Sequence, residues 1–207
     1  MRADLRLAAK RPSVRRHCDL ELVRMMKVSW LAAIGAVAAV FPAVSSASPF
    51  DEIRAGVYAQ GVGPLTRNKE TGAAINAELL FKSPEALSFL LAPRLNLGAS
   101  IALDDDATSQ VYGGFVWQQT IARRYFIAAG AGLAIHNAET DLELSDPDIA
   151  STKYLGCRVL FRFSGDLGYM LTDRLSASIH YDHISNAGLC EPNEGLENSG
   201  FRLGYRF

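Results

Sequence analysis

A histidine and a serine stand two residues apart, at His183 and Ser185, in the run His180-Tyr181-Asp182-His183-Ile184-Ser185-Asn186-Ala187-Gly188. Serine is a weak nucleophile at neutral pH. It needs a base within hydrogen-bond reach, and that base needs a third group to orient it. Residues two apart on a β-strand point the same way, with Cα atoms roughly 6.5 Å apart. Glu197 follows the serine by twelve residues and by parity shares the face of Phe201, Leu203, Tyr205 and Phe207. On an antiparallel neighbouring strand it would reach His183. The side-chain amide or backbone N–H of Asn186, with the N–H of Ala187 or Gly188, would donate to an oxyanion. Asn-Ala-Gly is also ordinary turn chemistry, so this stretch alone decides nothing. Such a set performs acyl transfer to a serine. His183 and Ser185 fall on the apolar face of their segment, and a hydrolytic pair on a greasy face points to a lipid substrate. A carboxylate on that face is costly unless it is paired, a cost that exposure at a rim would reduce.

The elements that must position these residues show period two, not 3.6. Alternation runs through 53–61, 73–81, 94–103, 110–121, 125–136, 154–170, 174–185 and 198–207. In the third, Leu95, Leu97, Ala99 and Ile101 oppose Arg94, Asn96, Gly98 and Ser100. Segments of about ten residues cross a bilayer at a tilt. Arg123-Arg124 and Thr172-Asp173 read as tight turns. Residues 62–72, 137–153 and 186–199 read as longer loops, with 82–93 longer than a minimal turn. Residues 83–91 read as a plain connection, the alternative being a short helical turn at the periplasmic interface. The expectation is an all-β fold, an eight-stranded antiparallel transmembrane β-barrel of the outer-membrane type. The rival is a soluble β-sandwich or lipocalin-like barrel with its apolar face inward. The terminal aromatic, Phe207, weighs against the rival, because it resembles the signal by which barrel assembly machinery recognises outer-membrane barrels. With the N-terminus inside, the seventh strand runs outward and carries the His183–Ser185 pair to the outer rim.

Residues 1–47 read as an N-terminal extension and a cleaved signal peptide. Lys27 precedes an apolar stretch from Trp30 to Val44, and Ser45-Ser46-Ala47 supplies a small-x-small cleavage site. Met25 or Met26 is a candidate true start. Residues 48–207 then form the barrel domain. They carry 13 Lys and Arg against 19 Asp and Glu, a net charge of −6, which argues against nucleic acid as a partner. Cys157 and Cys190 survive cleavage, and in an oxidising compartment a disulfide between them is open to formation. By parity His180 and Asp182 join an interior polar network, and His136 sits solvated at a rim. Asp104-Asp105-Asp106 and the group Asp141, Glu143, Asp146, Asp148 lack the spacing of a calcium loop and read as solvated loop charge.

The run from His183 to Gly188, then Pro192-Asn193, Gly195 and Glu197, resembles the PagL family of lipid A 3-O-deacylases. The likeness is close over about 180–207 and general in architecture over 53–179. The resemblance implies His183 as base, Ser185 as nucleophile, Glu197 as orienting carboxylate and Asn186 as oxyanion donor. It further implies that Asn193 and Gly195 belong to the motif and shape the loop. The reaction implied is hydrolysis of the ester-linked acyl chain at position 3 of lipid A, in the outer leaflet of the outer membrane, with no metal or cofactor. Pairing of two barrels is left open. The rival activities are an outer-membrane phospholipase and a structural or adhesive barrel without turnover.

Overall fold

The computed structural model describes residues 50–65, 69–142, 149–150 and 152–207. The signal-peptide reading, Glu143, Asp146 and Asp148 lie outside the described residues. Eight strands run in order: β1 (Phe50–Gln60), β2 (Gly72–Phe81), β3 (Arg94–Ala102), β4 (Gln110–Ala122), β5 (Tyr125–His136), β6 (Val159–Met170), β7 (Leu175–Ser185) and β8 (Leu196–Arg206). Each pairs antiparallel with the next, and β8 returns to β1 to close the barrel. Closure leaves no unpaired sheet edge, the condition for a sheet to cross lipid.

Alternation fixes which face is which. Val57, Leu97, Leu133, Phe163, Ile179, Phe201 and Leu203 are all more than half exposed on the outside. A water-facing surface of that kind would be untenable in a soluble barrel, and here it is the lipid-facing belt. Aromatic pairs ring the short-turn end: Phe50 with Phe81, Phe115 with Trp117, Tyr125 with Tyr169, and Tyr205 with Phe207, with centroids 4.9–6.2 Å apart. Such girdles sit where acyl chains meet headgroups.

The interior is filled, not open. Arg202 bonds Glu78 and, at 2.5 Å, Asp166; Arg162 reaches Asp182 at 3.0 Å and covers the Tyr112 ring at 3.7 Å. His180 lies between Asp166 and Asp182 and stacks on Tyr58. His180 and Asp182 thus belong to the interior network. Removing one partner of such a pair would strand a buried charge, at a cost of about 3–5 kcal/mol.

Three strand starts differ from the sequence expectation by more than one residue. β1 begins at Phe50, three residues early. β6 begins at Val159, five residues late, because residues 153–158 are drawn off to brace the β7–β8 connection. β8 begins at Leu196, two residues early, so Glu197 lies within paired sheet. A 3-10 helix spans Glu85–Leu90 in the β2–β3 connection, where the sequence reads most simply as a plain connection. Its exit takes Leu91 (φ 64°) and Ala92 (φ 50°) through the left-handed region without a glycine, at about 1–2 kcal/mol per residue.

Candidate active site

The candidate residues meet on the outside of β7 and β8, near the end bearing the long connections. His183 and Glu197 are direct register partners across the β7–β8 pair. On the other side His183 faces Phe163 and Ser185 faces Phe161, and both phenylalanines belong to the exposed belt. Base, serine and carboxylate therefore share the outer face, and all three stand in regular sheet.

Glu197 is not eased by rim exposure: it is fully buried. The start of the β1–β2 connection folds over it. Gly61 N–H donates to its carbonyl at 2.8 Å, and Leu65 N–H donates to both carboxylate oxygens at 3.0 and 3.1 Å. Ser199 fastens the same connection through its hydroxyl to Val62 O. A Cβ on Gly63 would fall 2.4 Å from the Glu197 carboxyl carbon, so a larger residue there would displace the carboxylate. The Tyr181 hydroxyl also donates to the carboxylate. His183 Nδ1 is buried and without a hydrogen-bond partner among the described residues. The carboxylate is thus held beside the imidazole while bonded to Tyr181 and Leu65. Register pairing sets the two residues opposite each other, and catalytic hydrogen bonds commonly tighten only when substrate is present.

Beyond Ser185 the chain turns through Ala187 (φ 55°) and Gly188 (φ 80°). Asn186 organises this turn. Its amide donates to Leu155 O and Pro192 O, its Oδ1 accepts from Gly188 N–H at 2.8 Å, and its own N–H donates to Asn193 Oδ1. Of the three residues considered as oxyanion donors, Asn186 and Gly188 are committed to the loop. Ala187 N–H has no partner among the described residues.

Residues 153–158 brace this loop from the side. Lys153 Nζ donates to Gly195 O, Tyr154 N–H to Glu194, and Cys157 is disulfide-bonded to Cys190 with Cα atoms 5.6 Å apart. Gly156 lies against Pro192 O and the Asn186 amide, where a Cβ would clash. His136, expected to be solvated, is instead buried beneath this brace with Nε2 2.7 Å from Cys157 O. Burial pulls the Lys153 ammonium down from its usual range, and it pushes the nearby Glu70 carboxyl up despite hydrogen bonds from Thr108. Among the described residues no three His, Cys, Asp or Glu side chains gather in a way that would hold a metal ion.

Below Tyr181, on the same outer face, lies an apolar groove of about 840 Å³. Ile179 and Ala177 of β7, Phe201 and Leu203 of β8, Val57 of β1 and Leu167 of β6 line it.

Residues 98–206, more than half of the chain, match the family described as lipid A 3-O-deacylase (PagL). The chain is 30% identical over 119 residues to the lipid A deacylase PagL of Bordetella bronchiseptica; the match spans 54% of this chain and 60% of that relative. The fold resembles the crystal structure of the outer membrane enzyme PagL, with a TM-score of 0.55 at 22% identity over 75% of this chain and 99% of that one. It also resembles Neisserial surface protein A, with a TM-score of 0.53 at 11% identity over 79% and 100% of the two chains. At these identities the structural likeness is one of fold.

Proposed function

This chain belongs to the lipid A 3-O-deacylase (PagL) family, and on that premise we propose that it hydrolyses the ester holding the 3-hydroxyacyl chain at position 3 of lipid A. The observation that carries the proposal is the shared outer face of Ser185, His183 and Glu197, with His183 and Glu197 directly paired in register. A site on the lipid-facing wall is one that an ester in the membrane reaches by lateral diffusion, without leaving the bilayer.

Ser185 Oγ attacks the acyl carbonyl carbon and passes its proton to His183. Glu197 holds the imidazole and stabilises its protonated form. The free N–H of Ala187 faces no competing acceptor among the described residues and serves the tetrahedral oxyanion, while Asn186 and Asn193 hold the loop that presents it. His183 then returns the proton to the departing sugar oxygen. Water, deprotonated by the same histidine, releases the fatty acid from Ser185. The groove beginning at Ile179 and Phe201 has the polarity to receive the acyl chain. The site end of the barrel faces the outer leaflet, where lipid A resides.

The test is mass spectrometry of lipid A from membranes carrying the wild-type protein or Ser185→Ala, with folding checked by heat-modifiable migration on gels. Wild type should remove one ester-linked 3-hydroxyacyl chain. Ser185→Ala should fold normally and lose at least about a thousandfold in rate. Retained activity in Ser185→Ala would remove the nucleophile assignment. Unchanged lipid A with folded wild type would move the reading to phospholipid hydrolysis or to a barrel without turnover.

A further inference from the structure

At the end of the barrel opposite the candidate active site, the β2–β3 connection presents Phe89, Leu90 and Leu91 with 78, 43 and 86% of their surfaces exposed. A connection facing only water has no physical reason to display three large apolar side chains in succession. Nor is this one loosely arranged. Its 3-10 turns are closed by Leu87 N–H to Pro84 O, Leu91 N–H to Ser88 O and Ala92 N–H to Leu87 O. Its exit passes through two successive left-handed residues, neither of them glycine, and the rest of the segment must over-determine that conformation. The Trp117 indole N–H donates to Leu90 O at 2.8 Å, pinning the segment against the outside of β4.

We propose that this segment is an interfacial wedge, inserted at the acyl–headgroup boundary of the glycerophospholipid leaflet that surrounds the short-turn end. Continuity with an existing lipid interface identifies the occupant. Trp117, which fixes the segment, belongs with Phe115 to the aromatic girdle, and Leu95 and Leu97 of the lipid-facing belt follow directly in β3. An aromatic followed by two leucines matches the composition of segments that lie in this boundary layer. The other two connections at this end are built differently, as tight turns bearing Arg123-Arg124 and Asp173-Arg174. The wedge is therefore one-sided. In the order of strands around the barrel it stands across from β6 and β7, the latter carrying His183 and Ser185, and there it resists tilting that would move the candidate site away from its leaflet.

The test uses the full barrel reconstituted alone into phosphatidylethanolamine–phosphatidylglycerol vesicles. Phe89→Cys and Leu91→Cys are spin-labelled, and collision with oxygen and with a water-soluble nickel chelate is measured by electron paramagnetic resonance. Leu97→Cys supplies the lipid-facing reference and Asp105→Cys the aqueous one. Labels at 89 and 91 should be rich in oxygen contact and several-fold poorer in nickel contact than the label at 105. Nickel contact at 89 and 91 equal to that at 105 would overturn the proposal, and would leave a protein partner at this end as the alternative. As a second measurement on the native side chains, Phe89→Ser/Leu91→Ser should insert into vesicles and migrate as a folded barrel, yet show a broader distribution of tilt by oriented infrared dichroism than wild type. An unchanged distribution would likewise count against the wedge. Neither measurement depends on turnover, so failure here is distinct from failure of the deacylase reading.

Discussion

At the scale of single residues, the site is a carboxylate problem. Glu197 faces outward on a membrane barrel, where an exposed charge would be destabilising, and the molecule answers with a neighbouring hydroxyl and a backbone N–H. In the proposed mechanism Tyr181 is a positioning residue, bonded to the carboxylate assigned to orient His183. Tyr181→Phe removes only the hydroxyl. Hydrogen bonds to charged groups contribute about 1.5–3 kcal/mol, so kcat should fall about tenfold or more while KM stays close to wild type. Steady-state kinetics on lipid A micelles decides this. An unchanged kcat would show that Leu65 N–H suffices to hold Glu197. The His183–Ser185 pair and the phase of Glu197 were legible because strand parity is rigid. Tyr181 shares that parity, but an outward tyrosine reads as a belt residue. The Leu65 contact was illegible, since it joins residues 132 positions apart through a backbone group that has no signature in sequence. The role of Asn186 was likewise obscured: its amide suits an oxyanion as well as a turn, and only the positions of Leu155 O and Pro192 O show where it is spent.

At the scale of elements, the strands were readable and their ends were not. The bounds of β5 match the alternation at both ends, and those of β2, β3 and β4 lie within a residue of it. The late start of β6 has a tertiary cause: residues 153–158 continue an apolar pattern, but they brace the β7–β8 connection and touch β5 at its end, through His136, without joining its ladder. The disulfide between Cys157 and Cys190 is the covalent member of that brace, and its separation of 33 residues made the pairing impossible to establish from spacing alone. Its location predicts an effect on rate as well as stability, because the turn carrying Ala187 is fastened only three residues before Cys190. Cys157→Ser/Cys190→Ser should remain a folded barrel but lose about tenfold to a hundredfold in kcat, the penalty typical of a slightly misplaced catalytic group. A thiol reductant should lower the wild-type rate to the same level and leave the double variant unaffected. A reductant effect that persists in the double variant would refute this explanation.

At the scale of the whole molecule, closure was foreshadowed by an even number of alternating segments and by charge concentrated on one parity, with Glu197 as an exception. The sequence could not show how the charges on that parity combine. Arg54, Arg162 and Arg202 come from β1, β6 and β8, and they meet Glu52, Glu78, Asp166 and Asp182 from β1, β2, β6 and β7. Seven ionic side chains, with Tyr58, Tyr112, Phe126 and Leu80 also buried on the inner face, fill the lumen among the described residues. Planar bilayers containing the purified protein should accordingly show no conductance steps above leak; discrete ion-carrying openings would contradict the filled interior. A barrel filled in this way can stand in an outer membrane in many copies without opening a route across it for small solutes.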